Sequence, residues 1–133
     1  MTEKQYRMLL TVYAALIVVL LAAMFVSPPS DALMVALGNE PKTWPMSNFW
    51  VAGGIAGVLM LMTLIGLVGL FLFKAWARPL SVFATAFALL LQPFIGASVF
   101  SGIEFALIGI ESTLWGVILA LSYSSPIGDR FGR

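Results

Sequence analysis

Few residues in this chain could do chemistry, and the most conspicuous is a carboxylate in apolar company. Glu111 lies well inside the run Ser101–Ser125, SGIEFALIGIESTLWGVILALSYSS. A carboxylate in a membrane-spanning helix costs on the order of 2.5–3.5 kcal/mol on insertion scales, so its presence marks a functional site by default. Such a group can pass a proton or cation, or it can stand neutral and hold a structural hydrogen bond to another helix. Gln92 and Pro93 interrupt the preceding apolar run. Pro93 has no N–H, so the carbonyl of Leu89 loses its helical partner and needs another donor. Counted from the connection at Ser98–Gly102, Gln92 and Glu111 both lie roughly 12–14 Å along their helices. An amide, a freed carbonyl and a carboxylate are therefore expected at similar depth. Glu111, Gln92, Glu104 and Thr113 form the candidate intramembrane polar site, with Ser112 and Thr85 nearby and Glu104 towards the aqueous end. The competing reading is a hydrogen-bonded brace for the Pro93 kink.

Missing residue types bound the rest. The chain has no Cys and no His. Disulfides, thiolate chemistry, Cys- or His-ligated metals, imidazole-ligated haem and a Ser-His-Asp triad are excluded. Glu104, Glu111 and Asp31 are too few and too scattered for paired acid–base or metal work. No catalytic residue, cofactor or metal site is expected, and the chain does not read as an enzyme. A net charge of +1 gives no reason to expect a nucleic-acid partner.

The elements that must position these residues are membrane helices. The chain is 61% hydrophobic and 10% charged over 133 residues, a composition suited to lipid contact. The pattern predicts an all-α, integral membrane four-helix bundle of two transmembrane hairpins, forming one domain over 1–133. The spans are expected at about 6–26, 49–73, 80–100 and 102–124. Tyr6–Val26 covers roughly 31 Å at ~1.5 Å per residue, enough to cross the hydrocarbon core. It is longer than a signal-peptide core and lacks an A-x-A cleavage pattern, so it reads as a permanent helix. Ser27-Pro28-Pro29 ends it. A short interfacial helix follows, Ala32–Leu37, capped by Ser30 or Asp31 and closed by Gly38. The loop Asn39–Asn48 is polar and broken by two prolines, with Trp44, Phe49 and Trp50 placed as an interfacial belt. Lys74–Pro79 reads as a tight turn, and Ser125-Pro126 ends the last helix.

One face of that last helix carries a ladder of small residues. Gly102, Ala106, Gly109, Thr113, Gly116 and Ala120 alternate spacings of four and three, which keeps them together at ~100° per residue. Helices in lipid associate through close packing, which small residues permit. The ladder is therefore expected to be a helix-packing seam, with the second span as first candidate partner through Gly53 and Gly57. Glu111 lies on another face, with Glu104, Ile108, Trp115 and Ile118.

Lys4, Arg7, Lys74, Arg78, Arg130 and Arg133 fall on one side of the expected topology and Lys42 on the other. The positive-inside rule then places both termini in the cytoplasm, in a membrane expected to be the bacterial inner membrane. Two functions are compatible with this. The first is a non-enzymatic protein acting through contacts with a membrane partner, as an accessory or assembly subunit or an immunity-type protein. The second is a small oligomeric transporter or channel using Glu111 as a proton or cation site. The expected partners are the lipid bilayer and either another membrane protein or further copies of the chain. In size and helix count the chain resembles the small multidrug-resistance transporters. Their essential Glu lies in the first helix, and Tyr6–Val26 carries no acid, so the resemblance stops at size and architecture.

Overall fold

A computed structural model describes residues 2–26, 31–39, 47–95, 98, 100–124 and 126–131. Ser30, Trp44 and most of the expected polar loop lie outside them. The described chain is helical: α1 (Glu3–Val26), α2 (Asp31–Gly38), α3 (Phe49–Phe71), α4 (Ala77–Ile95), α5 (Gly102–Tyr123) and a short 3₁₀ turn, Gly128–Arg130. Four helices are long and apolar enough to cross a membrane: Glu3–Ala23, Phe49–Phe71, Ala77–Ile95 and Gly102–Tyr123. They form the expected bundle. The described residues include no strand.

Local chemistry sets the helix ends. Asn48 caps α3 by accepting hydrogen bonds from the N–H groups of Trp50 and Val51 at 3.1 and 3.3 Å. Ser101 caps α5 through a capping box. Its Oγ accepts from Glu104 N at 3.2 Å, and its own N–H donates to Glu104 Oε2 at 2.7 Å. At the other end of α3, Lys74 N donates to the Gly69 carbonyl at 2.8 Å and Phe73 N to the Leu70 carbonyl at 3.1 Å. That is a Schellman closure, whose left-handed residue is usually Gly. Here it is Phe73, with φ +53°. Its ring packs on Tyr6 and Phe131, with centroids 5.7 and 5.3 Å away, and these contacts offset the backbone strain.

Both ends of the expected third span, 80–100, move. The fourth element starts at Ala77, so Pro79 lies in its first turn rather than in a connecting turn. A missing N–H is harmless there, because first-turn N–H groups have no helical acceptor. The same helix ends at Ile95 instead of running to Phe100, two residues past Pro93.

The helices pair antiparallel as α1 with α5 and α3 with α4, and weaker contacts join α4 to α5 and α1 to α3. Each contributes a narrow buried stripe at helical spacing: Tyr6, Leu10 and Tyr13 on α1; Gly66, Gly69 and Leu70 on α3; Ala77, Ser81 and Ala84 on α4; Trp115, Ile118 and Ser122 on α5. Between α3 and α4 the close approach requires glycine at Gly69 and is tight at Gly66. A Cβ at Gly66 would lie 2.6 Å from Ser81 Oγ, and one at Gly69 would lie 2.6 Å from Ala77 Cβ and 2.7 Å from the Trp76 ring. Close backbone approach of this kind is how helices gain attraction in lipid.

The tail closes the end of the bundle that holds Tyr6. Ile127 and Phe131 are buried there. Arg78 donates to the carbonyls of Ser122 and Gly128 at 3.3 and 3.5 Å, and its guanidinium lies 5.2 and 4.8 Å from the ring centroids of Tyr123 and Phe131. Arg130 Nε meets Glu3 Oε1 at 3.1 Å. At the other end of the span, Phe49 and Trp50 are exposed.

Candidate intramembrane site

The polar groups that meet inside the bundle are only partly those expected. Tyr13, ten residues along α1 and so roughly 15 Å from its start, is buried, and its ring stacks on Trp115 of α5 with centroids 4.7 Å apart and planes 23° from parallel. Its hydroxyl lies beside the side chain of Glu111. Glu111 is half-buried. One helical turn on, Trp115 Nε1–H donates to Thr85 Oγ1 of α4 at 2.8 Å, and Thr85 donates in turn to the Ser81 carbonyl at 2.9 Å. Glu111, Tyr13, Trp115 and Thr85 thus tie three helices together in the middle of the span. An indole N–H in hydrocarbon must find a partner within the protein, and Trp115 finds it in Thr85.

The expected cluster of Gln92 with Glu111 does not form. Gln92 is exposed near the end of α4 and makes no hydrogen bond to Glu111 among the described residues. Thr85 meets Trp115, so antiparallel α4 and α5 bring Glu111 level with about Leu89, and Gln92 lies roughly 4.5 Å further along. Glu104 is buried, at 5% exposure, but its carboxylate is engaged by the Ser101 cap. Thr113 faces outward and its hydroxyl bonds back to the Gly109 carbonyl at 2.8 Å. Among the described residues no three Asp, Glu, His or Cys side chains gather as metal ligands would.

The small ladder takes the opposite side of α5 from Trp115 and Ile118. Gly102, Ala106, Gly109, Thr113, Gly116 and Ala120 are all exposed, and a Cβ added at Gly102, Gly109 or Gly116 would meet nothing within 4 Å. The same holds for Gly53 and Gly57 of α3. The expectation that α3 receives the ladder is therefore corrected: α5 packs on α1 and α4 with its Trp115 face. The physical reason is the indole, which needs an acceptor that lipid cannot supply. The ladder itself floors an open apolar groove of about 600 Å³ lined by Ala106, Gly109, Ile110, Thr113, Leu114 and Val117.

Tyr13 and the Trp115–Thr85 bond were missed from the sequence. The available signals were the i, i+4 relation of Glu111 to Trp115 and the run Tyr6, Leu10, Tyr13 on one face of α1. Compared with known proteins, the chain matches no family model, no curated protein and no solved structure.

Proposed function

We propose that this membrane protein acts without catalysis, through helix–helix contact with a membrane partner, as an accessory or assembly subunit or an immunity-type protein. The observation that carries this reading is the outward ladder of α5. Small residues along a whole span are a costly way to face lipid, because they forgo side-chain contacts, and they become useful when another backbone comes close. Gly53 and Gly57 offer a second open surface of the same kind on α3. The distribution of Lys and Arg supports termini in the cytoplasm, and the reading places the chain in a bacterial inner membrane.

A second reading rests on Glu111. A half-buried carboxyl beside a tyrosine inside the span fits a proton or cation site, as a small oligomeric transporter or channel would use.

One set of variants separates the two. Tagged protein at native expression, purified in mild detergent, should carry a stoichiometric membrane partner. Gly109→Leu and Gly116→Leu should lose that partner while the protein itself keeps its thermal midpoint, and Glu111→Gln should retain it. If both Leu variants keep the assembly, the ladder has no role in contact. Proton or cation flux in proteoliposomes that Glu111→Gln alone abolishes would move the function to the second reading.

A further inference from the structure

A different surface, between α1 and α3, has the chemistry of a lipid site. A groove of about 220 Å³ there is lined by Leu10, Thr11, Ala14, Leu67, Val68 and Phe71. Its one hydroxyl, on Thr11, is turned onto the Arg7 carbonyl at 2.9 Å, so the groove offers a ligand only apolar surface. At its end near the N-terminus the Arg7 guanidinium lies 5.4 Å from the centroid of Phe71, a groove residue, and 5.3 Å from that of Phe73. Just beyond is a polar hollow of about 340 Å³ lined by Glu3, Lys4 and Arg7.

The charges in that hollow are unbalanced. The Glu3 carboxylate is engaged by Arg130 at 3.1 Å. Lys4 and Arg7 are exposed and have no carboxylate within ion-pair distance among the described residues. The two rings hold Arg7 in place, and its guanidinium is exposed and donates no hydrogen bond to the protein among the described residues. A guanidinium edge matches a phosphate by paired hydrogen bonds. Basic pockets between spanning helices at a membrane surface attract anionic headgroups.

We propose that this surface binds an anionic phospholipid, with the headgroup phosphate on Arg7 and Lys4 and an acyl chain in the groove between α1 and α3. A zwitterionic lipid also has a phosphate, but its ammonium would face the same two cations. The site lies apart from the α5 ladder and does not depend on the partner reading.

The test uses the purified full-length chain in detergent, titrated with phosphatidylglycerol, with phosphatidylcholine or with inorganic phosphate, and followed by thermal midpoint and by native mass spectrometry. Phosphatidylglycerol should stay bound and raise the midpoint, at least tenfold more tightly than phosphatidylcholine. Arg7→Gln should weaken it about fivefold and the Lys4→Gln/Arg7→Gln pair roughly 25-fold, from about a fivefold loss per cation near the surface. Ala14→Leu, which fills the groove and keeps both cations, should also weaken it. Val68→Phe repeats that test from an exposed position that cannot unfold the core. Equal retention of the two lipids would overturn the proposal, as would a preference that survives the double charge variant. Inorganic phosphate binding as tightly as the lipid, or full lipid affinity in both groove-filling variants, would reduce the site to an anion contact and overturn it as well.

Discussion

Gly66 and Gly69 on α3 are covered by α4: a Cβ at Gly69 would run into Ala77 Cβ, and one at Gly66 would press on the Ser81 hydroxyl. Gly53 and Gly57 lie on the same helix, in the half nearer its start, and face open space. The two faces of α5 repeat the contrast: Trp115 and Ile118 are buried against neighbours, whereas Gly109 and Gly116 touch nothing. Small residues therefore do two jobs in one chain. At Gly66 and Gly69 they let the bundle close. At Gly53, Gly57 and along α5 they leave the bundle's own stability untouched, so whatever use they have must come from outside it. Composition does not distinguish these jobs. What does is the neighbour each helix needs for its polar handles.

The strongest way to break this contrast is to add bulk to each kind of glycine in turn. Gly69→Leu should destabilise the isolated protein by about 3 kcal/mol, the upper part of the range for overpacking. The Ala77 Cβ stands on a helix backbone and cannot swing aside as the tip of Trp76 can. Gly57→Leu should leave the isolated protein within ~0.5 kcal/mol of wild type, as surface substitutions do. Reversible unfolding in mixed micelles measures both. A large loss at Gly57, or none at Gly69, would show that the filled and open glycines have been assigned the wrong way round.

How far the sequence could be read follows from the same contrast. Length and hydropathy were enough for the four spans, since a helix that must satisfy its backbone in lipid announces itself by some twenty apolar residues. The spacing of the α5 ladder was legible too, and so was the separate face of Glu104, Glu111, Trp115 and Ile118. Which face turns inward was not legible from spacing alone, because small-residue packing is available to either partner. Trp115 held the answer: its N–H needs an acceptor, and Thr85 of α4 provides it at 2.8 Å. The Gln92–Glu111 pairing is absent for a related reason: the Thr85–Trp115 bond, not distance from the connecting loop, sets how α4 lies along α5. Tyr13 looked like one more apolar position in α1 until α5 was laid against it. Arg7 and Arg78 were counted for topology, yet their guanidinium groups also pack on Phe71, Phe73, Tyr123 and Phe131, long-range contacts that no local pattern contains.

A middle-sized effect tests the inward face directly. Thr85→Val keeps the shape of the side chain and removes the acceptor for Trp115 Nε1–H. Interhelical hydrogen bonds in membranes average about 0.6 kcal/mol and reach about 1.7. The loss should fall near the upper value, because lipid cannot replace the partner. Trp115→Phe should cost less in the Thr85→Val background than in wild type, since the shared bond is already gone. Equal costs in the two backgrounds would mean that the indole contributes by packing alone, and that its need for an acceptor does not decide which face of α5 turns inward.

The smallest expected effect is at the outward threonine. Thr113 Oγ1 donates to the Gly109 carbonyl of its own helix at 2.8 Å, an acceptor already available to the helix ladder and not orphaned by loss of the hydroxyl. Thr113→Val exchanges one branched side chain for another of similar size on an exposed face. The isolated protein should change by less than ~0.5 kcal/mol, against the larger loss from the same exchange at Thr85. Because Val keeps the groove's shape, the assembly that Gly109→Leu disrupts should survive Thr113→Val. Retained stability with lost assembly would mean that the partner reads the hydroxyl and not the close backbone approach. The ladder would then be a polar contact surface, with Thr113 as its centre.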